Sequence, residues 1–403
     1  MTDELVRASN ALTAKWARRE SWGGAGGALS GAGAWPLLAL LAAAAREPGR
    51  GELQEAVGVD AADADRHARA LLEILARSTA VEGALGVWAR AGLPLEPWWL
   101  DAVPGGARGE LSGDPAADQA RLDAWVARNT GGRLTRMPVS VPPDTQLVLA
   151  TALTIETRWL EPFSDIPFRP QRGPWSGRDR EAAGLARQTE DLDQLVLART
   201  PAGPVTLLTV QGGNDVDVHL CLGEAARPAG EVLAAAVEAV GGLHPVLRGT
   251  LLARPDADPA PGVTLHKIAA FDAQPTLSVT TARFDVTAEH DLMARAELFG
   301  LATVSTHDPA GHFPGISREP LALGQAAQDV TATFSAEGFT AAAVTAMTVL
   351  ATGAPLNEAY MLHAAFDRPF GFLARHRPSG LVLLAGWVAE PQDWPEGVPT
   401  SPW

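Results

Sequence analysis

One long uncharged stretch constrains the fold of this chain more than any other feature. No charged residue occurs between Gly338 and Asn357, and most side chains there are small or β-branched. As a strand, the stretch would be apolar enough on both faces to lie at the centre of a sheet. Its alanine-rich middle is also compatible with a helix. We therefore expect a segment that can adopt two backbone states.

Composition limits the partners of the chain. Its 403 residues carry a net charge of -15, which argues against nucleic acid and anionic membranes as partners. The single cysteine, Cys221, lies in an alternating pattern, which predicts a buried thiol in a strand and no internal disulfide. The N-terminus does not resemble a signal peptide, and the apolar run of residues 35–45 is too short to span a bilayer. We expect a soluble, cytoplasmic monomer, with secretion by a route without a classical signal left open.

A search for catalytic and metal-binding motifs predicts that the chain is not an enzyme. It has no Gly-x-Ser-x-Gly motif, so an α/β-hydrolase would have no nucleophile. The closest group of candidate metal ligands is His307, Asp308 and His312. Their loop contains a Pro and a Gly, so it fixes no coordination geometry. We therefore expect no metal, no cofactor and no catalytic residue.

Periodicity predicts the overall organisation. Helical patterns concentrate early in the chain and strand patterns late, without a linker or a repeat, which favours a single α+β domain. Residues 276–286 alternate throughout and are predicted to form one strand. Beyond Pro391 the sequence is rich in proline. We therefore divide the chain into a domain of residues 1–391 and a C-terminal tail of residues 392–403, which we expect to be extended.

Six motifs of the chain, taken in order, match those of one known family. Glu337 and Gly338 are followed after two residues by alanines, and this pattern resembles the hinge of the reactive-centre loop in the serpin family of serine protease inhibitors. Residues 151–159 resemble the strand that ends in the tryptophan of the breach, the family's name for the top of its main sheet. The other matches are residues 122–134, 313–317, 366–373 and 386–391. The chain thus resembles an intracellular serpin of the prokaryotic type.

The resemblance implies the serpin fold, in which helices pack around three β-sheets and the reactive-centre loop is exposed. It implies a loop hinge formed by Glu337, Gly338, Phe339, Thr340, Ala341, Ala342, Ala343 and Val344. Trp159 matches the breach tryptophan. Three residues match the shutter, the centre of the main sheet: Ser30, Thr151 (where the family has Asn) and Gln328 (where it commonly has His).

Spacing within the family's pattern gives candidates for the cleaved bond. Counting from the hinge places the reactive bond between Thr352 and Gly353. Counting back from Phe366 places it later, so the candidates run from Leu350 to Glu358.

The function implied by the resemblance is that of a suicide-substrate inhibitor of serine endopeptidases. A protease cleaves the loop, and the freed strand then inserts into the main sheet with the protease attached. No Lys or Arg lies between Arg318 and Arg368, which favours an elastase-, subtilisin- or chymotrypsin-like protease over a trypsin-like one.

Phe339 leaves a second interpretation open, because the family usually has a small residue at this position. Its ring could slow insertion by overpacking the sheet, and the protein would then be a non-inhibitory serpin with a binding or structural role. Alternatively, the ring packs on the upper end of the sheet and stabilises a partly inserted hinge.

Overall fold

A computed structural model of the protein describes residues 2–24, 26–102, 108–129, 131–132, 135–137, 141–171, 173–339 and 357–395, without the side chains of residues 82–85 and 149–152. Its α-helices are α1 (Thr2–Arg19), α2 (Gly31–Ala44), α3 (Gly49–Val57), α4 (Ala64–Arg77), α5 (Pro97–Asp101), α6 (Pro115–Asn129), α7 (Ala229–Val240), α8 (Gly249–Leu252) and α9 (Ala296–Phe299).

The strands in the first half of the chain are β1 (Gly27–Leu29), β2 (Val81–Arg90), β3 (Arg108–Leu111), β4 (Leu147–Ile155), β5 (Thr157–Arg158), β6 (Ser164–Phe168), β7 (Ala182–Thr189) and β8 (Leu195–Thr200). Those in the second half are β9 (Gly203–Val210), β10 (Val216–Leu222), β11 (Val246–Arg248), β12 (Val263–Ala270), β13 (Thr276–Ala282), β14 (Phe284–Asp291), β15 (Ala327–Phe334), β16 (Gly338–Phe339), β17 (Asn357–Ala365), β18 (Phe370–His376) and β19 (Val382–Val388).

These strands form four hydrogen-bonded sheets. Their orders are β1-β19-β18-β10-β9-β8-β11, β12-β17-β13-β7-β6, β14-β15-β16-β5 and β3-β2-β4. The last two are joined by one residue, Glu156, between β4 and β5, and β15 packs beside β4. We call these two together the main sheet. The three sheets expected from the sequence thus appear as four hydrogen-bonded units, because no ladder joins β4 to β15 among the described residues. The α+β prediction is confirmed.

Helix α2 lies at the centre of the helical layer. Its sequence is apolar all round, which is typical of a helix buried on every side, and it packs against α1, α3, α4, β4 and β19. Ser30 caps its first turn, where the Ser30 hydroxyl accepts a hydrogen bond from the Gly33 N–H (3.0 Å). The helix therefore holds Ser30 in a fixed position behind the main sheet.

Residues 276–286 do not form one strand, so that prediction is wrong. β13 ends at Ala282 in the five-stranded sheet, and β14 begins at Phe284 in the four-stranded sheet. Arg283 lies at the change of sheet, where its N–H donates to the Ala183 carbonyl (2.8 Å). Each strand buries alternate residues, but the buried positions shift by one at Thr281 and Ala282, from odd-numbered in β13 to even-numbered in β14. A shift of one residue turns the buried side chains to the other face, as the change of sheet requires.

The beginning of the C-terminal tail packs at this junction. The Ala183 N–H donates to the Gln392 carbonyl (2.8 Å), and the Trp394 N–H donates to the Glu181 carbonyl (2.8 Å). Arg178 forms ion pairs with two acidic residues of the same terminal segment, Glu390 and Asp393. The tail up to Pro395 is therefore extended and bound to the domain, and residues 396–403 lie outside the described residues.

The expected buried thiol is confirmed. Cys221 is fully buried in β10, and burial raises the pKa of its thiol, which makes it a poor nucleophile. Within the described ranges, none of the helices combines the length and the apolar character that a membrane span requires.

A buried histidine on β10 predicts acid sensitivity. Burial and the nearby charge of Arg375 lower the pKa of His219 to about 4, against the opposing effect of Asp217. The unfolded chain therefore binds more protons than the folded one between about pH 6.5 and pH 4, and stability falls as pH falls through this window. We expect a His219→Gln variant to lose less stability than the unmodified protein between pH 7 and pH 4.5 in urea unfolding. His307→Gln, at an exposed position, is the control; equal losses in all three proteins would contradict the assignment.

Candidate functional site

The hinge forms the edge-to-edge contact between two strands of the main sheet. Phe339 pairs with Phe334 of β15 on one side and with Thr157 of β5 on the other. Gly338 pairs with Arg158. The short strand β16 therefore already occupies a place between β15 and β5.

Backbone hydrogen bonds hold the turn that leads into the hinge. The Ser335 N–H and hydroxyl both donate to the Gly338 carbonyl (3.0 Å each). The Trp159 indole N–H donates to the Ser335 carbonyl (2.9 Å), and its backbone N–H donates to the Glu337 carbonyl (2.9 Å). Trp159 thus binds Glu337 of the hinge through its backbone and Ser335 of the preceding turn through its side chain.

Phe339 lies in an aromatic part of the core. Its side chain is 1% exposed, and its ring centre is 6.3 Å from that of Phe372 on β18. Phe372 contacts Phe284 (4.6 Å), which stacks on Phe334 (5.2 Å). A ring of this size therefore has a pocket at the upper end of the sheet, and Phe339 fills it.

Asp165, Glu337 and Arg283 interact electrostatically at the hinge. Burial raises the pKa of Asp165 on β6, and the negative charge of Glu337 raises it further. The positive charge of Arg283 opposes both effects. Glu337 is therefore held near a carboxylate of like charge, with Arg283 reducing their repulsion.

Ser30 and Gln328 meet at the centre of the main sheet. The Gln328 side chain accepts from the Ser30 N–H (2.8 Å) and donates to the Ser30 carbonyl (2.9 Å). The Ser30 hydroxyl donates to the Leu383 carbonyl of β19 (2.6 Å). The two residues expected at the shutter thus join β15, α2 and β19 through buried hydrogen bonds.

Several predicted site residues lie outside the described structure. For Thr151, the backbone pairs with that of Leu85 in the β2–β4 ladder, and its side chain is not described. The hinge residues Thr340, Ala341, Ala342, Ala343 and Val344 and the predicted reactive bond of Thr352 and Gly353 lie outside the described residues.

The first residues after the loop narrow the range for the reactive bond. Asn357 and Glu358 lie in β17, where they pair with Ala270 and Ala269. A peptide segment held in a ladder does not fit the extended cleft of a protease. We therefore expect the reactive bond to precede residue 357, in the part of the Leu350–Glu358 range that the structure does not describe.

Metal chemistry finds no support in the described ranges. No group of three or more His, Cys, Asp and Glu side chains there is arranged to hold a metal ion. His312 instead is buried, with its ring nitrogen 2.9 Å from the Thr306 carbonyl, and Asp308 forms an ion pair with Arg46.

Three residues of the site were not identified from the sequence. Ser335 and Phe372 both contact the hinge. Ser335 lies outside the six motifs. Phe372 lies in the motif of residues 366–373, for which the resemblance gives no role at the hinge. Arg187 lies on β7 over the ring of Phe163. The sequence gives one signal that Arg187 is buried. It lies two positions after Leu185, so an alternating strand that buries Leu185 also buries Arg187.

Comparison with known proteins agrees with this geometry. The model of the family Serpin (serine protease inhibitor) matches residues 19–172 and 264–391. The chain belongs to the serpin family. Plasminogen activator inhibitor 1 of Sus scrofa is 26% identical over 68% of this chain, and the match spans 62% of that relative's length. Serpin-Z2A of Oryza sativa subsp. japonica is 24% identical over 88% of this chain and 85% of its own.

Solved structures share the same fold. Human thyroxine-binding globulin superimposes with a TM-score of 0.70 at 15% identity, over 98% of this chain and 100% of its own. The serpin fold predicted from the sequence is therefore confirmed.

The hydrogen bonds between Gln328 and Ser30 predict the effect of an isosteric change. In Gln328→Glu, a buried carboxylate cannot donate to the Ser30 carbonyl, so we expect a loss of about 1–3 kcal/mol in the free energy of unfolding at pH 7. Protonation restores the donor, so the loss should shrink as pH falls. Urea unfolding at pH 7 and pH 5 measures both effects. Gln188→Glu, at an exposed position, should change stability by less than about 0.5 kcal/mol; a similar effect in both variants would contradict the role of Gln328.

Proposed function

We propose that this serpin inhibits serine endopeptidases by cleavage of its reactive-centre loop and insertion of that loop into the main sheet. The observation that carries the proposal is the position of Gly338 and Phe339, which pair with β15 and with β5. The first two residues of the inserting strand are thereby in register before cleavage. Insertion would extend this pairing and would not have to begin a new strand.

The energetics of insertion support the same mechanism. Gly338 through Leu350 is 13 residues, or about 43 Å of strand. Pairing on both edges would form on the order of a dozen hydrogen bonds, each worth about 0.5–1.5 kcal/mol. Their sum is comparable with the total stability of a typical domain, about 5–15 kcal/mol. Insertion would therefore be irreversible on the time scale of inhibition.

The separation between β4 and β15 suits this step. Below the hinge, these strands pack beside one another but belong to different hydrogen-bonded sheets. An inserting strand would therefore not have to break a β4–β15 ladder. Hydrolysis of the acyl-enzyme competes with insertion, so a sheet that opens without breaking a ladder favours inhibition.

The target is a protease with an apolar or small specificity pocket. The segment between Arg318 and Arg368 contains no Lys or Arg for a trypsin-like pocket. Leu350, Thr352 and Leu356 suit elastase-, subtilisin- or chymotrypsin-like enzymes.

A second candidate function is that of a non-inhibitory carrier. A cavity of about 520 Å³ lies between α1, α7 and the β18–β19 turn, within the usual range for small-molecule sites. Its wall is mainly apolar and includes Val6, Ala14 and Val237. The charged residues of the wall are Arg7, Arg18, Arg375, Asp3 and Glu238. Arg18 is paired with Glu238, which leaves an excess of positive charge. Thyroxine-binding globulin, which has the same fold, is known in complex with thyroxine. An apolar anion is the class of ligand that this cavity would fit.

Incubation with subtilisin and with pancreatic elastase distinguishes the two functions. Inhibition predicts a complex that survives SDS electrophoresis, together with a cleaved form that melts at a higher temperature than the intact protein, because the inserted strand adds ladder hydrogen bonds. Mass spectrometry of the released C-terminal peptide identifies the bond. Clean cleavage without a complex, and without a rise in melting temperature, would support the carrier.

Phe339 provides a more specific prediction. Because its ring already fills a pocket, we expect Phe339→Thr to leave a cavity, to lower the free energy of unfolding by about 2–5 kcal/mol and to raise the fraction of serpin cleaved without complex formation. Phe271→Thr, at a ring that is 57% exposed, is the control. A higher yield of complex from Phe339→Thr would mean that the ring obstructs insertion.

A further inference from the structure

Arg187 is a buried arginine whose side chain connects the five-stranded sheet to the breach. It lies on β7 and is 8% exposed. Its Nη1 donates to the Glu161 carbonyl (2.7 Å), and its Nη2 donates to the Gln194 side-chain oxygen (2.7 Å). Its Cζ lies 4.5 Å from the centre of the Phe163 ring, which is a cation–π contact. The guanidinium thus binds the turn of residues 159–163, which we call the breach turn.

The breach turn in turn holds the hinge. The Phe163 N–H donates to the Ala336 carbonyl (2.8 Å), and the Trp159 N–H donates to the Glu337 carbonyl (2.9 Å). The Phe163 ring contacts that of Phe334 (5.8 Å), the residue that pairs with Phe339. The two ends of the breach turn therefore bind Ala336 and Glu337. Arg187 binds the middle of the turn at the Glu161 carbonyl and one end at the Phe163 ring.

The stability of the fold does not account for an arginine at this position. Burial lowers the pKa of the Arg187 guanidinium, with Glu161 opposing the effect, so desolvation of the charge is unfavourable. The Nε donor is buried and has no hydrogen-bond partner among the described residues. A well-packed apolar side chain of similar length would avoid both penalties. The arginine is better explained by what it positions.

We propose that Arg187 is a positioning residue for loop insertion, which keeps Gly338 and Phe339 seated between β15 and β5 by fixing the breach turn. This rests on the proposed function for its biological role. The structural effect, however, is a property of the intact protein and needs no protease. Without the guanidinium, the Phe163 ring loses its cation–π contact and the Glu161 carbonyl loses its donor, so the turn becomes free to withdraw from the Ala336 carbonyl.

Hydrogen exchange of the full-length protein tests the proposal. In Arg187→Met, we expect amides in peptides covering residues 157–164 and 335–339 to exchange about tenfold faster, as loss of a desolvated cation–π contact predicts. The Gln194 side chain and the Glu161 carbonyl lose their donor in this variant, while the desolvated charge is removed. These two effects oppose each other, so the melting temperature should change little. If Arg187 had only a structural role, faster exchange at the hinge would be accompanied by a lower melting temperature.

Matched variants complete the test. Arg199→Met removes an exposed arginine of β8 that pairs with Asp258 and should change neither measurement. Unchanged exchange at the hinge in Arg187→Met would overturn the proposal, as would a lower melting temperature with faster exchange throughout. If Arg187→Met does not fold, Arg187→Lys, which keeps the charge but not the two-pronged geometry, is judged by the same two criteria.

Inhibition assays then address the biological role separately. If the unmodified serpin forms a covalent complex with subtilisin or elastase, we expect Arg187→Met to yield severalfold less complex and more cleaved product. If the unmodified serpin forms none, the proposed function fails, while the exchange result still decides whether Arg187 positions the hinge.

Discussion

The arrangement of the main sheet depends on a fit between two neighbouring residues of the hinge. A Cβ atom on Gly338 would lie 2.3 Å from the Thr157 carbonyl oxygen, so only glycine allows β16 to approach β5 this closely. The next residue has the opposite requirement, because Phe339 fills the aromatic pocket beside Phe372. Successive side chains of a strand point to opposite faces, so one absent and one large side chain together fix a single register. A slip by one residue would put the ring where there is no space for a methyl group.

This fixed register also changes the interpretation of Phe339. From the sequence alone, Phe339 is a large residue at an inward position, which predicts that its ring obstructs insertion. Within the sheet, the ring has already entered, and the side chains that follow it in the inserting strand are small. The energetic problem of accommodating an aromatic side chain is solved in the folded state before any protease binds. The proposed insertion would then meet no further aromatic side chain up to Leu350, and Met347 would be the longest side chain on the face of Phe339.

The sequence predicts the contacts that depend on local pattern. The hinge, the breach tryptophan and the shutter residues Ser30 and Gln328 each match a motif separately. The structure shows that Trp159 binds the turn before the hinge and that Gln328 binds Ser30. The sequence does not predict contacts that depend on the distance between sheets. The change of sheet near Arg283 does have a local signal, because the buried positions move from odd numbers in β13 to even numbers in β14. That shift does not show which sheet β14 joins. Arg187 has no local signal for its partner, since nothing in the sequence near it places β7 over Phe163.

Arg283 shows how these long-range contacts meet at one place. Its charge opposes the burial that raises the pKa of Asp165, while its backbone N–H donates to the Ala183 carbonyl at the start of β7. The C-terminal tail bonds to the same Ala183 through Gln392. Arg187 extends from the other part of β7 to the breach turn. Strand β7 therefore links the tail, the junction between sheets and the hinge. Because it is paired on both edges, with β6 and with β13, it would serve as a fixed frame for the proposed opening of the main sheet.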